Sequence, residues 1–258
     1  LLSALRAKPE RTAILTDVDG TLAPIVDRPE QAAVPEAARA ALAGLSKHFG
    51  LVGCISGRRA EDARRLVGVD AIAYAGNHGL ELLLPGEESP RLDPSLDGRE
   101  DGAADFVAQL DAGELVSMGL RLEDKGPIQA LHWRGASDER AADARAHEIA
   151  AEAGRAGLEP RWGRKVLELR PMRGGGKDTA VAALLAADGI DRAVYAGDDR
   201  TDLDAFRRLR ELREIGDLEY SLCIGISSPE APSELGEESD LTVDGPDGWV
   251  NILQALAE

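Results

Sequence analysis

At 258 residues the chain can hold one large domain or a core domain with a smaller companion, and 43% hydrophobic residues argue against wholesale disorder. Lys+Arg 30 against Asp+Glu 47 gives a net charge of −17, with aromatics at 3%. That balance argues against nucleic acid, which is bound through phosphate neutralisation and base stacking, and against anionic membranes. No apolar run approaches the roughly 18 residues of a membrane span, and no signal-peptide core opens the chain. Cys54 and Cys223 lie in apolar runs and read as reduced, buried thiols. The expectation is a cytoplasmic, monomeric protein with no nucleic-acid or membrane partner.

In chain order, Thr12–Thr16 is a buried strand that stops at Asp17. Pro35–His48 reads as a helix with Pro35 in its first turn. Leu51–Ile55 is a strand ending at Ser56-Gly57-Arg58, and Arg59–Val67 a helix. Ala71–Ala75 is a third strand, ending at Gly76-Asn77-His78-Gly79. Strands alternating with helices predict an α/β fold with a parallel sheet, whose polar functional groups gather at the carboxyl ends of the strands. Residues 85–101, rich in Pro, Gly, Ser and charge, read as a linker. A helix near Gly102–Ala112 follows, then apolar runs Leu115–Leu122 and Ile128–Trp133 around a Glu123-Asp124-Lys125-Gly126-Pro127 turn, which predicts a hairpin. A helix over Asp138–Gly154 and a strand over Val166–Leu169 complete an α+β unit. We therefore expect an α/β core over 1–100 and 172–258, with an α+β domain inserted at 101–171. After the glycine run Gly174–Gly176 the alternation resumes. Helix Asp178–Ala187, strand Ala193–Ala196, helix Thr201–Leu212, strands Ser221–Ile226 and Leu241–Val243, and helix Gly248–Leu256 follow.

Asp17-Val18-Asp19-Gly20-Thr21 places two carboxylates two residues apart just past a strand. One can serve as nucleophile and the other as acid/base, or the pair can hold a hard cation. Gly20 permits a tight turn, and Thr21 offers a hydroxyl and an amide. Gly197-Asp198-Asp199-Arg200-Thr201-Asp202 repeats the pattern at another strand end. Three carboxylates so close repel unless a cation or base offsets them, although one of them can simply cap the next helix. Together the two clusters predict a Mg²⁺ site. Ser56 adds a hydroxyl at the intervening strand end, and His78 ends a core strand. Lys177 is one of only five lysines among 30 basic residues. Glu123 and Lys125, read alone, form a surface ion pair at a turn.

Asp17/Asp19, Ser56, Lys177 and Asp198/Asp199, in that order, resemble the four motifs of the haloacid dehalogenase (HAD) superfamily of phosphatases. The insertion at 101–171 resembles that superfamily's α/β cap on a Rossmann-like core. Ser56-Gly57-Arg58, Gly76-Asn77-His78-Gly79-Leu80-Glu81, Glu123-Asp124-Lys125-Gly126 and His132-Trp133-Arg134 narrow the resemblance to trehalose-6-phosphate phosphatases, as does the run from Gly163-Arg164-Lys165 to Pro171. The resemblance implies hydrolysis of trehalose 6-phosphate. Asp17 would form an aspartyl-phosphate, Asp19 would be the acid/base, and Mg²⁺ would be held by Asp17, the Asp19 carbonyl and Asp198. Thr21, Ser56, Arg58, His78 and Lys177 would bind substrate on the core, and Glu123, Lys125 and Glu168 would hold sugar hydroxyls from the cap. Other sugar-phosphate phosphatases, for sucrose 6-phosphate or mannosylglycerate phosphate, and a sugar phosphomutase remain alternatives.

Overall fold

The computed structural model describes residues 2–26, 31–163, 165–172, 175–186, 189–229 and 231–257. Of the positions read above, Arg164, Gly174, Ala187 and the termini of the expected core at 1 and 258 lie outside the described residues. The elements run α1 (Leu2–Arg6), β1 (Thr12–Thr16), α2 (Glu36–Leu45), β2 (Leu51–Ile55), α3 (Ala60–Val67), β3 (Ala73–Gly76), β4 (Glu81–Leu83) and β5 (Arg91–Leu92). Next come α4 (Gly102–Val107), α5 (Ala112–Ser117), β6 (Arg121–Asp124), β7 (Gln129–His132), α6 (Glu139–Arg155), β8 (Leu158–Gly163) and β9 (Val166–Pro171). The chain closes with α7 (Lys177–Leu185), β10 (Arg192–Gly197), α8 (Asp202–Glu214), β11 (Tyr220–Ser227), α9 (Ser233–Glu238), β12 (Leu241–Asp244) and α10 (Gly245–Ala257). They form two compact units, Leu1–Leu92 with Gly175–Glu258, and Asp93–Gly174. No helix among the described residues is long and apolar enough to cross a membrane.

The first unit is built on one sheet in the order β12-β11-β10-β1-β2-β3-β4-β5. It is parallel from β12 to β3, and β4 and β5 extend it antiparallel. Every residue of β1 is buried, because the strand is central and helices cover both faces. Side chains alternate across it. Ile14 packs with Leu42 and Leu45 of α2 and Trp249 and Leu253 of α10, while Ala13 and Leu15 join Val181 of α7 and Phe206 and Leu209 of α8. Such a centre brings the carboxyl ends of β1, β2, β3 and β10 to one edge of the sheet.

The second unit is a four-stranded antiparallel sheet, β6-β7-β9-β8, whose core contains residues of α4, α5 and α6. Here the structure differs from the expected hairpin. Residues 112–117 are helical, because Asp111 accepts hydrogen bonds from the amides of Gly113 and Glu114 and so caps a new helix. Gly119, at φ 73°, turns the chain into β6, so only the end of the apolar run pairs with β7. Strand β8 was not expected. It contains Pro160, which is tolerated because β8 is an edge strand.

Candidate active site

Asp17 follows β1 directly, and its amide donates to the Ala196 carbonyl at 2.8 Å, prolonging the β1–β10 pairing by one residue. The chain then turns back, with the amides of Leu22 and Ala23 both donating to the Val18 carbonyl at 2.9 Å. Gly20 makes the turn at φ 89°, and a Cβ there would lie 2.1 Å from Asp198 Oδ2. No other residue fits, on conformation or on space. The Thr21 hydroxyl donates to Asp198 Oδ1 at 2.9 Å, so the turn after β1 is tied to the turn after β10.

Lys177, the first residue of α7, is 2% exposed and donates to Asp17 Oδ1 at 2.9 Å and Asp202 Oδ1 at 2.6 Å. Burial drives its ammonium toward neutrality, yet Asp17 and Asp202 outweigh this and hold it well above the usual lysine range. Burial raises the Asp17 carboxyl well above its ordinary value, against the pull of Lys177, and Asp202 and Asp198 push the same way. Burial also pushes Asp198 up to about 6, opposed by the Thr21 hydroxyl and Lys177. This is the signature of crowded carboxylates that one ammonium does not balance.

The three acids of the second cluster divide their work. Asp199 Oδ1 accepts from the Thr201 amide and hydroxyl at 2.8 and 2.7 Å, and so caps the start of α8. Asp202, fully buried, receives Lys177 and the Tyr195 hydroxyl (2.5 Å) on Oδ1 and the amides of Asp198 and Asp199 on Oδ2, each at 2.9 Å. Oxygens of Asp17, Asp198 and Asp202 all lie within 4.8 Å of one another, a spacing that could hold a metal ion. A carboxylate offers about four lone-pair directions, and those of Asp202 are taken by these four donors. Asp17 and Asp198 therefore fit a cation better, with Asp202 supporting the loop. The donors are all oxygen, without His or Cys, which suits a hard divalent ion.

Asp19 is gripped by Arg58, whose Nε and Nη2 reach its two carboxylate oxygens at 2.7 Å each, a bidentate fork. Ser56 is buried, its hydroxyl accepting from the Arg58 amide at 3.1 Å, while its carbonyl accepts from the His78 amide at 2.9 Å. The loops after β2 and β3 are thus laced together. Sequence reasoning singled out neither Tyr195 nor the role of Glu81, whose buried carboxylate accepts from the Ala60 amide at 2.8 Å and Asn77 Nδ2 at 2.9 Å. An acid inside an apolar strand end was the available signal for Glu81; for Tyr195 there was none.

In the second unit, the pairing register places Glu123, Ala130 and Glu168 in one row across β6, β7 and β9. Ala130, the smallest member, separates the two acids. Glu168 Oε1 accepts from Lys125 Nζ at 2.9 Å and its Oε2 from Arg170 Nε at 3.1 Å. Glu123 Oε2 lies 2.7 Å from His132 Nε2, a contact that together with Lys125 holds the Glu123 carboxyl below its usual range against burial. Lys125 and Glu168 are only 14% and 13% exposed, so this is a shielded pair and not the surface ion pair expected of the turn.

The trehalose-phosphatase family model matches residues 15–235. A probable trehalose-phosphate phosphatase G of Arabidopsis thaliana is 33% identical over 233 residues, covering 81% of this chain and 61% of the relative. The chain thus spans about three fifths of the length of such curated relatives. Among solved structures, the C-terminal domain of a C. albicans trehalose-6-phosphate phosphatase aligns with a TM-score of 0.74 at 20% identity, over 99% of this chain and 96% of that one. A haloacid dehalogenase-like hydrolase from Bacteroides thetaiotaomicron aligns at 0.63 and 14%, over 95% and 99%. At such identities these two likenesses establish the HAD-like fold.

Proposed function

This chain belongs to the trehalose-phosphatase family, and from that premise we propose that it hydrolyses trehalose 6-phosphate to trehalose and inorganic phosphate. The observation that carries the reading is the seat of Asp17: a buried carboxylate at the end of β1, one oxygen held by Lys177 at 2.9 Å, with Asp198 and Thr21 tied alongside. With Oδ1 occupied, Oδ2 of Asp17 attacks phosphorus, the bond to the sugar oxygen breaks, and an aspartyl-phosphate forms. Asp19 delivers a proton to the departing sugar oxygen, then takes one from the water that cleaves the acyl phosphate. Arg58 forks onto Asp19 in the resting site. When Arg58 turns to the incoming phosphate dianion, Asp19 is freed to take up a proton from solvent, the one it passes to the departing sugar oxygen.

Lys177 has three N–H donors. Two serve Asp17 and Asp202, and the third is the one a phosphoryl oxygen takes. Ser56, Thr21 and His78 complete the phosphate-binding side. Asp17, Asp198 and the Asp19 carbonyl would hold Mg²⁺, whose charge when bound offsets repulsion between the attacking carboxylate and the dianion. Residues 101–171 act as the specificity-determining insertion, where Glu123, Lys125 and Glu168 accept and donate to sugar hydroxyls. A cytoplasmic setting fits Cys54 and Cys223, both free and buried.

The test is phosphate release over a panel of trehalose 6-phosphate, sucrose 6-phosphate, mannosylglycerate phosphate and glucose 6-phosphate with Mg²⁺. The highest kcat/KM is expected on trehalose 6-phosphate. A clear preference for another sugar, or phosphoryl return to sugar without free phosphate, would overturn the reading.

A further inference from the structure

Lys177 bridges Asp17 and Asp202, and Asp202 is itself constrained. Its Oδ2 is fixed by the amides of Asp198 and Asp199, so the carboxylate cannot rotate. Its Oδ1 faces two donors, the Lys177 ammonium at 2.6 Å and the Tyr195 hydroxyl at 2.5 Å. Tyr195 lies on β10, fully buried, and its ring meets Phe206 of α8 edge-on, with centroids 6.0 Å apart. Packing places the ring, and the bond to Asp202 Oδ1 is what fixes its hydroxyl. We propose that Tyr195 is a positioning residue for Lys177: its hydroxyl occupies one acceptor direction of Asp202 Oδ1 and confines the ammonium to the other, the one from which it also reaches Asp17.

Without that hydroxyl, the vacated lone pair in a buried carboxylate is a strong attraction for the Lys177 ammonium beside it. The ammonium slides toward Asp202 and away from Asp17, loosening the contact that orients the nucleophile and the donor offered to phosphate. The inference rests on the phosphatase reading for its catalytic consequence but not for its geometry, and the two are tested separately. Phe in place of Tyr195 keeps the ring and its contact with Phe206.

The probes are p-nitrophenyl phosphate as substrate, inorganic phosphate as competitive inhibitor, and the ammonium resonance of Lys177 by heteronuclear NMR, assigned by its loss in Lys177→Arg. Tyr195→Phe should lower kcat by roughly 5- to 50-fold. It should raise the inhibition constant of phosphate by about 3-fold or more, and shift the Lys177 resonance. Measured well below the melting temperature of each variant, where the folded fraction is close to one, the inhibition constant reports the site itself, so a merely structural role would leave it unmoved. Phe206→Leu, which disturbs the ring but keeps the hydroxyl, should lower the melting temperature without changing that constant. An unmoved resonance in Tyr195→Phe, an inhibition constant within twofold of wild type, or an equal change in Phe206→Leu would each overturn the proposal. A wild-type protein that cleaves no phosphate ester would overturn the phosphatase reading, and the resonance would still decide the positioning.

Discussion

Asp17 and Asp198 occupy a site that charges them unwillingly. Burial lifts both carboxyls, and Lys177 lowers them only in part. Asp17→Asn keeps the shape and removes the proposed attacking anion, so turnover should fall by about 10³-fold or more, measured as kcat on any accepted phosphate ester. Retention of a tenth of wild-type activity would dismiss Asp17 as nucleophile. The same carboxyls set a pH dependence of stability. Asp198 moves from 3.8 to about 6, so between those values the folded chain binds more protons than the unfolded one. Stability from this group is therefore withheld above pH 6 and regained as pH falls through the folded value toward 3.8. In EDTA the melting temperature should rise on going from about pH 7.5 to about pH 5, and more steeply than in Asp198→Asn. Mg²⁺, which binds the ionised form, should stabilise the protein more at the higher pH. Identical slopes in wild type and variant would show that Asp198 is not strained in the metal-free site.

At the scale of elements, α3 depends on a residue outside it. Glu81 of β4 supplies the acceptor for the Ala60 amide in the first turn and neutralises part of the helix dipole, while its other oxygen fixes Asn77. Glu81→Ala leaves two buried donors without their acceptor and should cost about 3 kcal/mol, read as a lower urea midpoint at unchanged m-value. Glu81→Gln, which keeps one acceptor oxygen, should cost clearly less; equal losses would mean that the cost is packing and not hydrogen bonding. These elements also show what a sequence reveals. β1, β2 and β10 were legible because a strand covered on both faces is an unbroken apolar run, and the paired aspartates past β1 and β10 were legible because their chemistry is local. α5 was not, because Leu115, Val116, Met118, Leu120 and Leu122 mix both periods and the capping by Asp111 decides between them. β8 was not, because Pro160 and Gly163 weaken its pattern and its pairing with β9 supplies the order. The fork of Arg58 on Asp19 joins residues 39 apart, and no short window contains it.

For the molecule as a whole, the proposed reading gives the phosphate chemistry to the first unit, and on that reading discrimination among sugars would fall to the second. There the row Glu123–Ala130–Glu168 presents two acids separated by a methyl group, with Lys125 bound to one of them. A hydroxyl-rich disaccharide can both donate to such carboxylates and accept from the ammonium, and hydrogen bonds to charged groups are the stronger kind. On that reading the loss of sugar binding should appear in kcat/KM for the sugar ester alone. Glu123→Ala and Lys125→Ala should lower kcat/KM on trehalose 6-phosphate by roughly 10- to 1,000-fold, about 1.5–3 kcal/mol per charged hydrogen bond plus lost alignment. p-Nitrophenyl phosphate has no sugar to lose and should change by less than about threefold. For Glu168 the replacement must be Gln, because alanine would leave Lys125 and Arg170 without the carboxylate that pairs them. Losses of equal size on both esters would assign these residues to folding or to the chemical step. No loss on either would leave these residues as a partly exposed ion-pair network on the sheet, and recognition of the sugar would have to lie elsewhere.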